Sequence, residues 1–262
     1  MDFNLNSKSA IVCGSTQGIG KAVAVELASL GANVILIARN EKLLKATLGD
    51  LDRSEGQKHQ FICADFSEPE EVKQRIMNFV KNNPPVHILV NNTGGPAGGP
   101  ITDAAPQAFE QTFAQHLINN HTLAQAVLPG MKKEKFGRIV NIISTSVKQP
   151  IKGLGVSNTI RAAVANWAKT LAGEVAPFGI TVNNVLPGAT KTDRLSSLLE
   201  AKSKATGKSV QELSDEMIYE IPMKRFAGAE EIAYAVAFLC SVSAGYITGI
   251  NVPVDGGRTG CL

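Results

Sequence analysis

Gly14-Ser15-Thr16-Gln17-Gly18-Ile19-Gly20 is the stretch of this chain best suited to chemistry: its glycines, spaced G-x-x-x-G-x-G, follow a short apolar run and open an amphipathic one. Gly14 permits the turn. Gly18 and Gly20 would let backbone amides and a pyrophosphate meet at a helix N-terminus, where unpaired N–H groups and the helix dipole favour anions. The spacing points to a dinucleotide. Nineteen residues after Gly20, Arg39 and Asn40 close the next apolar run, and no acid stands there. An acid at that point binds the adenosine ribose hydroxyls of NAD, whereas an arginine accommodates the 2′-phosphate of NADP through paired charged donors. NADP(H) is therefore the preferred cofactor, with NAD(H) second. In the plainer alternative Arg39 is a solvated loop residue and Asn40 only the N-cap of the helix from Glu41.

These groups need a scaffold. β-branched apolar runs alternate with stretches of helical period, the pattern of a parallel sheet covered on both faces. The expected strands are Ala10–Val12, Asn33–Ala38, Lys58–Ala64, His87–Asn91, Gly137–Ser144, Ile180–Leu186 and Gly249–Val254. The expected helices include Ile19–Leu30, Glu41–Leu51, Pro69–Asn82, Gln107–Lys133, Ser157–Val175 and Glu230–Leu239. The fold class is thus α/β, a single doubly wound Rossmann-type domain over residues 1–262 with about seven strands. Residues 191–222 are polar and weakly patterned, and they follow the carboxyl end of a strand, which suggests a substrate lid.

A chain of 262 residues, 44% hydrophobic, can bury one large core. The net charge is only +3 and no block of like charges occurs, so neither nucleic acid nor a membrane surface is indicated. Cys13, Cys63, Cys240 and Cys261 are scattered without metal-like spacing, which suggests reduced, mostly buried thiols and no metal. The first strand begins near Lys8, leaving no room for a signal peptide, and no apolar run reaches transmembrane length. A cytoplasmic protein acting on a small molecule is expected.

Further along come Asn91-Asn92-Thr93-Gly94, Ser144 at a strand end, and Pro187-Gly188-Ala189-Thr190-Lys191-Thr192. With the glycine turn these resemble the short-chain dehydrogenase/reductase superfamily. Tyr246-Ile247-Thr248-Gly249 and Val254-Asp255-Gly256-Gly257 bring the resemblance closest to its 3-oxoacyl-carrier-protein reductase-like branch. The resemblance implies further cofactor contacts: Asp65 and Phe66 beside adenine, Asn92, Thr93 and Gly94 along the adenosine ribose region, Pro187 and Gly188 with Thr190 and Thr192 near the carboxamide. It also implies a homo-oligomer, a tetramer or dimer, built on the helices around Thr112–Leu128 and Ile160–Val175.

In that family a tyrosine donates a proton to the substrate carbonyl, a lysine holds the nicotinamide ribose, a serine orients the carbonyl and a helix asparagine anchors a water. Mapped here, the serine is Ser144, but the tyrosine falls on Ser157, the lysine on Arg161 and the asparagine on His116. The segment resembles an atypical group with an imperfect tetrad. Ser157 and Arg161 are four apart and share a helix face. A serine hydroxyl stops roughly 4 Å short of a tyrosine phenol and is a far weaker acid. Arg161 can grip ribose hydroxyls but cannot release a proton near neutral pH. Ser157 as a plain N-cap is the bland alternative.

Three groups could replace the acid. His116 has the right intrinsic pKa, Lys148 follows Ser144 on a loop, and Tyr219 lies in the expected lid. Three functions follow in order: an NADP(H)-dependent oxidoreductase of a carbonyl or secondary alcohol with a non-standard acid, a nucleotide-binding protein without turnover, and a lyase-type activity on the same fold.

Overall fold

The computed structural model describes residues 2–261, and its strands are β1 (Ser9–Cys13), β2 (Asn33–Ala38), β3 (Gln60–Cys63), β4 (Ile88–Asn91), β5 (Gly137–Ile142), β6 (Ile180–Pro187) and β7 (Asn251–Val254). They form one parallel sheet in the order β3-β2-β1-β4-β5-β6-β7. The order reverses between β1 and β4, and in such sheets ligands bind beyond the carboxyl ends of the strands at that point. The helices are α1 (Gly18–Ser29), α2 (Glu41–Gly49), α3 (Pro69–Asn82), α4 (Pro106–Phe113), α5 (Asn119–Glu134), α6 (Gly155–Val175), α7 (Asp193–Thr206), α8 (Val210–Tyr219) and α9 (Ala229–Cys240).

The apolar runs of β1 and β2 feed two cores. Ala10, Val12, Val34 and Leu36 join Val23, Leu27 and Val236 of α1 and α9, while Ile11, Ile35 and Ile37 join Ile76, Leu123 and Ala168 of α3, α5 and α6. Strands buried on both faces need no polar alternation, and this is why they read as continuous hydrophobic stretches. One polar row crosses the sheet. Asn91 donates to Asn141 at 2.8 Å, Asn141 to Asn184 at 2.9 Å and Asn184 to Asn251 at 2.8 Å, each pair in register on neighbouring strands.

Three expectations shift. The helix predicted from Gln107 runs from α4 into α5 through a single π-turn, Ala114–Ile118, and His116 sits inside it. α6 starts at Gly155 behind the N-cap Leu154, so Ser157 lies within the helix and the N-cap reading of that residue is wrong. The polar segment 191–222 is ordered as two helices, one begun by Thr192, whose side chain caps α7, and the other by a capping box between Ser209 and Glu212. β3 and β7 are each two residues shorter at their start than predicted, and β5 ends before Ser144. Cys13 and Cys240 are buried, Cys63 is half-buried and Cys261 is exposed.

Candidate active site

The turn after β1 is built by crowding as much as by ligand. Gly14 and Gly18 take φ of +59° and +52°, a region that side chains rarely enter. A Cβ on Gly14 would stand 2.6 Å from the Asn92 carbonyl oxygen, and one on Gly20 would overlap the Gly14 carbonyl. Gly20 is thus required by the fold of the turn, whereas the sequence suggested only room for a pyrophosphate. Asn92 closes the turn by donating to the carbonyls of Cys13 at 3.2 Å and Gly14 at 3.3 Å, and buried Ser15 leans on the Ile37 carbonyl at 3.4 Å. Gln17 precedes α1 but its side chain makes no cap, and the first turn carries no acid. The N–H groups of Gly18, Ile19 and Gly20 therefore point outward with the positive end of a 12-residue helix behind them. Such a cradle fits a pyrophosphate. Thr16 and Gln17 line the same turn, and Thr192 faces Gly18, its methyl 3.2 Å from where a Gly18 Cβ would be.

At the end of β2, Asn40 accepts from the Leu43 N–H at 3.1 Å, the helix cap anticipated for it. Arg39 is 79% exposed along its side chain, with Nη1 3.9 Å from Asp65 Oδ2. At that exposure and distance the ion pair contributes little stability, so the guanidinium is free to meet a ligand. The backbone N–H of Ser67 holds the Asp65 carboxyl below its usual range, and Arg39 adds a smaller pull. The Phe66 carbonyl accepts from Asn119 at 2.8 Å, fixing this loop to the start of α5. Pro187 ends β6. Gly188 donates to the Val254 carbonyl at 2.9 Å, and a Cβ there would meet Asp255 at 2.7 Å. Buried Thr190 and the capping Thr192 complete that wall.

Past β4 and β5, His116 and Arg161 both meet Thr93, and Arg161 also holds the Ile142 carbonyl two residues before Ser144. Half-buried Ser144 accepts from the Ser146 N–H at 3.0 Å. No partner among the described residues takes its hydroxyl proton. Arg161 is 8% exposed and donates to the Ile142 carbonyl at 2.9 Å and the Thr93 carbonyl at 3.5 Å. Burial and the neighbouring Arg194 lower its pKa to about 10, so it remains charged. His116 is 2% exposed; its Nδ1 lies 2.5 Å from Thr93 Oγ1 and its Nε2 has no protein partner. Burial first and the Arg161 charge second push its pKa down to about 3. The imidazole is therefore neutral, and the acid suggested by its ordinary pKa is absent. Gly94 is exposed on the same loop. Ser157 is half-buried on α6, one turn before Arg161, and its hydroxyl makes no hydrogen bond among the described residues.

The other two acid candidates fare differently. Lys148 ends the turn after Ser144 and is half-buried, with no carboxylate bound to its ammonium among the described residues. Tyr219 is 78% exposed at the end of α8, its ring covered by the Lys224 ammonium at 4.5 Å. That exposure places Tyr219 on the surface and gives it no contact with Ser144, Arg161 or His116 among the described residues. The sequence reading missed Arg194, which donates from the first turn of α7 to the Pro96 carbonyl at 2.5 Å. Its signal was only its place two residues after Thr192.

Comparison with known proteins identifies the family. Residues 14–259 match the family described as enoyl-(acyl carrier protein) reductase. The chain is 34% identical to the 3-oxoacyl-[acyl-carrier-protein] reductase FabG of Haemophilus influenzae, over 97% of this chain and 98% of that protein. It is 30% identical to the NADPH-dependent reductase BacG of Bacillus subtilis, over 97% and 98% respectively. The crystal structure of L-sorbose reductase from Gluconobacter frateurii, complexed with NADPH and L-sorbose, superposes with a TM-score of 0.93 at 31% identity and covers 100% of both chains. The chain belongs to the short-chain dehydrogenase/reductase superfamily, in its 3-oxoacyl-carrier-protein reductase-like branch.

Proposed function

We propose that this protein is an NADP(H)-dependent oxidoreductase that interconverts a ketone and a secondary alcohol without the tyrosine acid of its relatives. The observation that carries this is the pairing of Ser144, whose hydroxyl proton is uncommitted, with a buried Arg161 cation at the carboxyl ends of β4 and β5. The uncapped N-terminus of α1 would hold the pyrophosphate, Arg39 the 2′-phosphate, and Arg161 with Thr190 the nicotinamide end. When bound, the reduced cofactor supplies the hydride that, with one proton, turns a ketone into an alcohol and leaves the oxidised nucleotide. Ser144 donates a hydrogen bond to the carbonyl oxygen. The Arg161 charge stabilises the developing alkoxide from a fixed, largely dry position. The proton then comes from water reaching the gap that Ser157 leaves where a phenol would stand.

BacG and FabG support the cofactor and reaction class, as does the sorbose reductase complex. Among the described residues no helix is long and apolar enough to cross a membrane. Phe113 and Ile118 stay 39% and 38% exposed beside the π-turn, and we read that face as the contact between copies of a homo-oligomer.

The test is to mix purified protein and NADPH with a panel of ketones and follow nicotinamide absorbance, with Ser144→Ala as the control. Turnover that Ser144→Ala lowers roughly 100-fold or more supports the reading. Tight NADPH binding with no turnover on any ketone overturns it. The result would then favour a nucleotide-binding protein without reductase activity, the second reading that the neutral His116 suggests.

A further inference from the structure

Arg161 and Arg194 converge on one point. If Gly95 carried a Cβ, the Nη2 atoms of Arg194 and Arg161 would lie 3.3 and 3.7 Å from it. Neither guanidinium has a carboxylate partner among the described residues, and no acid contributes to the shifted pKa of either. Their protein acceptors are all neutral carbonyls: Ile142 and Thr93 for Arg161, and Pro96 for Arg194. Arg161 is buried and Arg194 is exposed at its rim, and a buried cation beside a like charge without a counter-charge is costly. Most of their N–H donors, five on each fork, are left for a ligand.

We propose that this pair recognises a carboxylate on the substrate, so that the enzyme acts on oxo acids and their hydroxy-acid counterparts; this rests on the reductase reading above. Two guanidinium edges that both lie within 3.7 Å of one point can share the oxygens of one carboxylate placed there. The position favours an anion of the substrate over the phosphates of the cofactor. The cradle for a diphosphate is the free α1 N-terminus beside Thr192, whereas the arginine pair lies on the lid side, where Arg194 ties α7 to the β4 loop. Beyond it the wall turns apolar, with Leu154 and Leu198 within 3.9 Å of where a Gly98 Cβ would be. A short hydrocarbon chain attached to an acid fits that sequence of surfaces. Gly95 itself keeps the space between the two forks open.

The test titrates the NADPH-loaded protein calorimetrically with short-chain oxo acids and with their methyl esters, and measures kcat/KM for both sets. The acids should bind about 10-fold or more tightly than the esters. Arg194→Gln should bring the two close to parity while NADPH affinity moves less than about 2-fold. Gly95→Ala, which fills the gap between the forks, should weaken acids and spare esters. Unchanged thermal melting would show that both variants are folded. Acids that bind but are never reduced would uphold the carboxylate site and sink the reductase reading. Esters bound or reduced as well as acids, with wild-type protein, would overturn the carboxylate site alone. A loss of NADPH affinity in Arg194→Gln as large as the loss for acids would assign the anion to the cofactor and overturn the proposal too.

Discussion

His116 makes the clearest quantitative prediction. Its imidazole is sealed from water and faces the Arg161 charge, and its pKa falls from the ordinary 6.5 to about 3. In the unfolded chain the same group protonates normally. Between these two values the unfolded state binds a proton that the folded state refuses, so stability is lost as pH falls below about 6.5 and is fully present above it. At pH 5 the loss from this one residue is about 2 kcal/mol, one and a half pH intervals at 1.36 kcal/mol each. His59 and His87 are also lowered by burial and will add to the total. Comparison with His116→Asn isolates the term. Urea unfolding of both proteins at pH 7.5 and pH 5.0 and at one protein concentration should show the wild type losing about 2 kcal/mol more than the variant. In parallel, the ring proton signals of His116 should not move between pH 8 and pH 5. A titration midpoint near 6.5, or equal acid sensitivity in the two proteins, would refute the reasoning and restore the histidine as an acid candidate. Arg161→Met should raise the pKa, because it removes the second of the two causes.

Three further outcomes are expected. Arg39→Ala should weaken NADPH binding by about 1–3 kcal/mol and leave NADH nearly unchanged; calorimetry showing equal losses would move Arg39 out of the site. Gly20→Ala should destabilise the fold by roughly 1–3 kcal/mol through overlap with the Gly14 carbonyl, read from the unfolding midpoint without cofactor. The combined change Ser157→Tyr, Arg161→Lys and His116→Asn should raise reduction of simple 3-oxoacyl esters measurably, since a well-placed acid contributes about 10²–10⁴-fold; a wild type already fast on those esters, and slowed by Ser157→Ala, would overturn the argument that serine cannot reach.

The scaffold was legible because its signals are local and repeated. Apolar β-branched runs and helical periods fixed the strand count, and the glycine spacing located the turn before α1. The site was legible as a set of positions but not as a set of states. Nothing in the sequence around His116 announces a π-turn, since that extra residue is absorbed by packing against the β4 loop. Its neutrality rests on burial first and then on Arg161, 45 residues away in sequence. Arg194 escaped for the same reason: its meaning lies in meeting Arg161 near Gly95, and only the folding of α7 against the β4 loop brings them together. The start of α6 was misplaced because Leu154 is an unusual N-cap residue with no side-chain acceptor.

The row of four asparagines has a consequence for how this site can change over generations. It couples β4 through β7 so that slippage of any strand by one residue would strand several amides at once. Ser144 stands three residues beyond Asn141 on the same strand path, and Thr93 two beyond Asn91, so the height of both is set by that row. Ser157 and Arg161 ride on α6, outside the row, and Arg161 reaches the sheet through its side chain at the Ile142 carbonyl. Substitution on the helix can therefore rewrite the proton chemistry while the platform that orients the carbonyl is inherited intact.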